Sequence, residues 1–273
     1  MNDASTELDA ITGHSTNLVG VSTALLAAYQ FNERPRLLNI SGVREMNASL
    51  FEMLAQAEDL AEAGSAFTVY MTAMFGIDAE QWEKRGRHAR YRSSFLRLIK
   101  GWGYDSNGPE GAVLKGWVES RFGIFPTYHK EHIRRFASGA WTRYVEEKMS
   151  SRFHANSIYS QLDLLYEFCQ WALDRFAAPG ATHLTLYRGV NALDEHKIVQ
   201  KIDARTLHLR LNNLSSFSAD RDIAGCFGDT ILTVQAPVAK IVFFNDLLSP
   251  HPLKGEGEYL VIGGVYRVNA CYL

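Results

Sequence analysis

The sequence predicts an α+β protein in which a helix-rich N-terminal part packs against a β-rich C-terminal part. Apolar residues recur at intervals of three and four through about the first 178 positions, and after Gly180 the period changes to two. A chain of 273 residues, 47% hydrophobic and 21% charged, can also bury a sizeable core. No internal repeat or low-complexity linker parts the two regions, so they are expected to pack together.

Between residues 43 and 63, Met46, Leu50, Leu54, Ala57 and Ala61 mark one apolar helical face, and residues 65–75 continue as a short apolar helix. Asp78 with Gln81 has the spacing of a capping box, opening a helix that runs to about Lys100. Residues 101–111, GWGYDSNGPEG, are turn-rich and predict a loop. Helical spacing returns over 130–149 and again over 158–176, where Leu165, Phe168, Ala172 and Phe176 share a face and Pro179-Gly180 ends the run. Cys169 on that helix is expected in the core. Beyond it, Leu184 and Leu186 alternate with polar neighbours, as do Leu207, Leu209 and Leu211. Further strands are expected at 230–236, 240–244 and 259–269, with a short helix at 220–227.

Composition excludes several classes. A formal net charge of −2 gives no global attraction to nucleic acid or anionic lipid. Three widely spaced cysteines without a CxxC pair argue against a disulfide framework and against zinc, so no metal is expected. The polar N-terminus lacks a signal peptide's apolar region, and no apolar run approaches the ~18 residues that would span a bilayer. A soluble, cytoplasmic protein is the expectation.

Three segments carry polar groups where strands end. Tyr187-Arg188-Gly189 follows the alternating run HLTLY; an arginine there can present a bidentate cation, and the glycine allows close approach to the backbone. In Leu214-Ser215-Ser216-Phe217-Ser218, the alternate hydroxyls of Ser216 and Ser218 point to one face. In Glu256-Gly257-Glu258, two carboxylates at i and i+2 crowd each other unless a cation or hydrogen bond compensates. Taken singly, each has a plain reading as a surface arginine, an ordinary hydroxyl strand or a polar strand edge.

Their order resembles the signature of the R-S-E class of ADP-ribosyltransferases: Arg188, then Ser216-Phe217-Ser218, then Glu256-x-Glu258, over roughly the last ninety residues. Phe227 stands eleven residues after Ser216, where members of the class carry a phenylalanine that stacks on nicotinamide, and the strand TILTVQAP follows it. Phe217 departs from the threonine of many members. Further upstream, GHSTNLVGVSTALL, RPRLLNISGVREMNASLFEMLAQAEDLAEA and TVYMTAMFGI resemble the N-terminal half of the dinitrogenase reductase ADP-ribosyltransferase family. Most of the chain is covered by that likeness. It implies a mainly helical family-specific region over 1–150 and an ADP-ribosyltransferase core of two packed sheets over 151–273.

The resemblance implies an enzyme that takes NAD as substrate. Breaking the nicotinamide–ribose bond gives the sugar oxocarbenium character, which a carboxylate beside the ring stabilises. By the match, Glu258 fills that role, Ser216 hydrogen-bonds Glu258, and Arg188 clamps a phosphate. The backbone of Gly189 would read the nicotinamide amide, with Ser218 and Phe227 completing the dinucleotide site. A guanidinium is not nucleophilic while fully protonated, so Glu256 would draw in the target arginine and accept its proton. The loop at 250–255 would face the protein substrate. No glycine-rich phosphate cradle precedes a helix, which argues against a Rossmann site and hydride transfer.

For partners, the resemblance implies the nitrogenase iron protein as acceptor, inactivated by a bulky charged group that blocks its docking, and a PII signalling protein as regulator. The basic run 84–100 could dock an acidic partner, although charge runs are more often a solvated face. His129 and His132 in HKEH read as ordinary surface histidines, and no physical case singles out His14. Trp102 between two glycines either covers a ligand or pins its loop to the core. Two competing readings are a non-catalytic module that binds the iron protein or PII, and a transferase or NAD glycohydrolase with another acceptor.

Overall fold

The computed structural model describes residues 13–77, 94–150, 157–191, 193, 196–249, 251–253 and 257–272. Four short helices open it: α1 (Thr23–Leu26), α2 (Tyr29–Glu33), α3 (Val43–Met46) and α4 (Ala48–Leu54). The single apolar face read over 43–63 is therefore broken. Leu50, Leu54 and Ala57 are buried, but Met46 is 77% exposed and Ala61 also faces solvent. A cap explains the new start, since the Asp59 side chain accepts the N–H of Glu62 at 2.8 Å and begins α5 (Leu60–Phe75) earlier than periodicity placed it.

Asp78, Gln81 and most of the basic run 84–100 lie outside the described residues. Past them, Ser94 caps α6 (Phe95–Tyr104) by accepting the N–H of Arg97 at 3.4 Å, and α7 (Pro109–Phe122) follows a short turn. The loop expected over 101–111 is thus mostly helix. Its glycines permit contact: a Cβ on Gly101 would lie 2.4 Å from Glu110 Cγ, and one on Gly111 would lie 2.1 Å from the Ser106 carbonyl oxygen. Residues 130–149 are likewise only partly helical. A hairpin of β1 (Tyr128–His129) and β2 (Glu131–His132) turns at Lys130 with φ 60°, and α8 (Gly139–Lys148) begins after it, capped by Ser138.

The helix α9 (Ile158–Ala172) runs through the core and ends in one wide turn, Leu173–Ala177. Phe168 stacks on Phe67 of α5 at 4.3 Å between centroids. On the sheet side, the Tyr166 hydroxyl donates to the Ala239 carbonyl at 2.8 Å, and Gln170 Nε2 donates to that of Ile241 at 2.7 Å. Cys169 is fully buried between them, as expected of a core residue.

Six strands follow: β3 (His183–Val190), β4 (Lys197–Lys201), β5 (Thr206–Ser218), β6 (Thr230–Pro237), β7 (Ile241–Phe244) and β8 (Glu258–Tyr272), with α10 (Arg221–Gly225) before β6. The α+β class holds. These strands share one hydrogen-bonded network, ordered β4-β5-β3-β6-β8-β7 with a further β5–β8 pairing, instead of two separate sheets. That extra pairing closes a ring of β5, β3, β6 and β8. The two runs read separately around residues 207–211 and 214–218 are one strand, because a bulge at Asn212 and Asn213 lets β5 bend without breaking its pairing to β8. The bulge is anchored outside the sheet: Asn213 Nδ2 donates to the Lys115 carbonyl at 2.9 Å, and Asn212 Oδ1 accepts from Thr127 N at 2.9 Å. Thus β5 is held against α7 and the hairpin.

Candidate active site

A cleft of about 1070 Å³ opens where the end of β3 and the bulged middle of β5 meet the hairpin and the helices α6 and α7. Arg188, Gly189, Ser216 and Phe227 all line it. The Arg188 and Ser216 segments therefore converge here with Phe227, although 28 residues separate Arg188 from Ser216, whereas Glu258 is not among the lining residues. Register explains how: Tyr187 pairs with Ser218, which pairs on its other side with Glu258. The Arg188, Ser216 and Glu258 segments thus meet on three adjacent strands.

Arg188 donates through Nη1 to the Ser216 carbonyl at 2.7 Å, while its Nε is buried with no acceptor among the described residues. Burial pushes the guanidinium down from its usual range, and the charge of Glu258 pulls it back up. Ser216 receives a second bond, from Trp102 Nε1 to its hydroxyl at 2.8 Å. Sequence expected Glu258 as the partner of this hydroxyl; the indole on α6 is a partner that it did not announce.

Other predicted residues take different places. Ser218 is 7% exposed and does not line the cleft; its hydroxyl accepts the backbone N–H of Asp220 at 3.0 Å, closing the turn into α10. Gly189 has a packing reason to be glycine, since a Cβ there would sit 2.0 Å from the Ala224 carbonyl oxygen of α10. That contact carries Phe227, which is 68% exposed, to the cleft edge. Glu256, with residues 250, 254 and 255 of the preceding loop, lies outside the described residues.

Several cleft residues went unnoticed in sequence. Arg210 lines it from β5, and its Nε, like that of Arg188, is buried with no acceptor among the described residues. Lys115 of α7 sits at its inner end, 1% exposed, bonded to Asn107 Oδ1 at 2.9 Å and to the Tyr128 carbonyl at 3.1 Å. Burial lowers this ammonium to about 7, against the upward pull of Asp105. His196 is held at about 4 by burial and by the nearby Arg188 and His132. Lys197 and Arg134 add charge at the mouth, and the carboxylate of Glu131 is taken up by Arg143 at 2.9 Å. An alternating strand announces a face but not its tertiary neighbours, so the alternation of β5 did not single out Arg210.

The histidines are also placed. His129 is fully buried and bonded to Glu147 at 2.8 Å, so only His132 is the surface residue expected. His14 meets Glu119 at 3.3 Å, outside the cleft. Among the described residues no group of three or more His, Cys, Asp or Glu could hold a metal ion, and no helix is long and apolar enough to cross a membrane.

Arg188 and Ser216 line this cationic cleft, and Glu258, which is not among its lining residues, stands on the strand paired with β5; these are the residues in which the sequence resembles the R-S-E ADP-ribosyltransferases. The family model described as dinitrogenase reductase ADP-ribosyltransferase matches residues 16–270, and the chain belongs to that family. It is 65% identical over 265 residues, 96% of each chain, to the NAD(+)--dinitrogen-reductase ADP-D-ribosyltransferase of Rhodospirillum rubrum. No solved structure matches.

Proposed function

We propose that this protein transfers ADP-ribose from NAD to one arginine of the nitrogenase iron protein, reversibly inactivating nitrogenase. The observation that carries the reading is the pair of arginines, Arg188 and Arg210, in one cationic cleft, whose buried Nε atoms have no acceptor among the described residues. Unpaired buried donors are costly, and a bound pyrophosphate supplies the missing acceptors. The Rhodospirillum rubrum relative is named for the acceptor dinitrogen reductase, and 65% identity supports the same acceptor here.

In this reading Arg188 and Arg210 take the pyrophosphate, Phe227 stacks on nicotinamide, and Gly189 reads its amide. The bond between C1′ of the ribose and the nicotinamide nitrogen breaks, its electron pair leaving with nicotinamide. Glu258 stabilises the positive charge that develops on the sugar. The acceptor guanidinium then forms the new C1′–N bond and gives up a proton, which Glu256 accepts. Ser216 and Ser218 hold this end of the site, the first toward Glu258 and the second through the turn it closes. Regulation by a PII signalling protein and a cytoplasmic location come with the family likeness.

The test is labelled NAD mixed with purified iron protein, followed by mapping of the modified residue. Wild type is expected to label one arginine, and Glu256→Ala to lose labelling while still releasing nicotinamide. Label on another residue type, or none on the iron protein, would overturn the acceptor assignment.

A further inference from the structure

We propose that Trp102 is a positioning residue for Ser216, through which the helical N-terminal part completes the active site; the proposal rests on Ser216 belonging to the NAD site. Trp102 lies in the last turn of α6, 4% exposed, and its Nε1 donates to the Ser216 hydroxyl at 2.8 Å across 114 residues of chain. An indole N–H can only donate, whereas a serine hydroxyl has one proton and two lone pairs. The bond fills a lone pair, and the hydroxyl's own proton must then point away from the indole. Ser216 is left as a donor whose proton is confined to the side away from the indole. Its carbonyl is gripped at the same time by Arg188 at 2.7 Å, so the residue is held from both its side chain and its backbone.

Glu258 is a suitable recipient of that proton. Ser216 pairs with Leu260 and Ser218 with Glu258, which makes Glu258 the diagonal neighbour of Ser216 on β8. Diagonal neighbours stand about 7–8 Å apart, within reach of a long side chain. A carboxylate that accepts such a bond loses rotamer freedom and keeps its negative charge aimed at one place.

The indole is itself fixed. Gly101, one residue earlier, lets α6 approach Glu110 of α7 so closely that a Cβ would lie 2.4 Å from that side chain. Lys115 Nζ stands over the Trp102 ring, 5.8 Å from its centroid. The family-specific helices therefore present one hydrogen-bond donor to the catalytic strand.

A double-mutant cycle tests this, with labelling of the iron protein by NAD as the assay and thermal unfolding as a check on the fold. Trp102→Phe keeps an aromatic ring and removes the donor. It is expected to lower kcat about tenfold, the scale of one lost hydrogen bond, with KM for NAD within about twofold. In a Ser216→Ala background the same change is expected to cost less than about twofold, because the group it positions is gone. A purely structural tryptophan would cost the same factor in both backgrounds, and that outcome overturns the proposal, as does a Trp102→Phe enzyme with unchanged kcat. An inactive Ser216→Ala beside a fully active Trp102→Phe sinks the positioning role alone. Full activity in Ser216→Ala removes both the role and the site reading beneath it.

Discussion

Arg188 Nη1 and the main-chain oxygen of Ser216 are 2.7 Å apart, and this bond extends the contact of β3 with β5 beyond its single registered pair, Tyr187 with Ser218. The guanidinium thus has one arm committed to the fold while Nε has no acceptor among the described residues. A lysine cannot hold the carbonyl and grip a phosphate with a planar fork. Arg188→Lys is expected to raise KM for NAD at least about tenfold and to lower stability by about 1.5–3 kcal/mol, the range for a hydrogen bond to a charged group. Substrate titration and chemical denaturation measure the two effects.

Phe227 separates binding from folding. It is 68% exposed, so Phe227→Ala is expected to change stability by less than about 0.5 kcal/mol. Its place at the cleft edge predicts a loss of NAD affinity on the order of tenfold, the scale of one aromatic stacking contact. Calorimetric titration of NAD into both proteins reads this directly; equal affinity would remove Phe227 from the site.

Gly189→Ala tests how the cleft edge is built. The added Cβ would lie 2.0 Å from the Ala224 carbonyl oxygen, so α10 must move away from β3. Overpacking of this kind costs about 1–3 kcal/mol. The shift also carries Phe227 outward, and KM for NAD is expected to rise together with the loss of stability.

The pH dependence of NAD binding follows from Lys115. Burial lowers its ammonium to about 7, with Asp105 and Glu147 pulling up and Arg188 pushing further down. A lysine is charged below its pKa, so raising the pH from about 6 to about 8 removes a cation from the cleft. KM for the anionic dinucleotide is expected to rise across that window. His196, held at about 4, is neutral throughout, and burial also lowers His129. Lys115→Met is expected to flatten the step, and a step of the same size in that variant would assign it elsewhere.

How much of this was legible in sequence differs by element. The alternation of HLTLY announced β3 and its terminal arginine, because one face of that strand packs on the core. The helix α7 gave no such signal: every residue from 111 to 119 is buried, so no polar face sets a period. Gly101 and Gly111 read as loop residues because sequence does not distinguish a glycine that turns from one that admits a neighbouring side chain. The strand β4, KIVQK, is exposed along most of its length and has no buried face to alternate. In the site, motif residues were found by spacing along the chain, whereas Arg210, Lys115 and the Trp102 bond depend on the bulge at Asn212 and on close helix packing. Neither can be read from neighbours in sequence.

In the proposed function a single cleft holds NAD by Arg188, and the glycosidic bond breaks beside Glu258. Single-turnover release of nicotinamide from NAD, compared between wild type and Glu258→Gln, addresses it most directly. The substitution preserves shape and removes the charge that stabilises the ribosyl cation. Release is expected to slow by about a hundredfold or more while NAD still binds with near wild-type affinity. Release at the wild-type rate in Glu258→Gln would contradict the account.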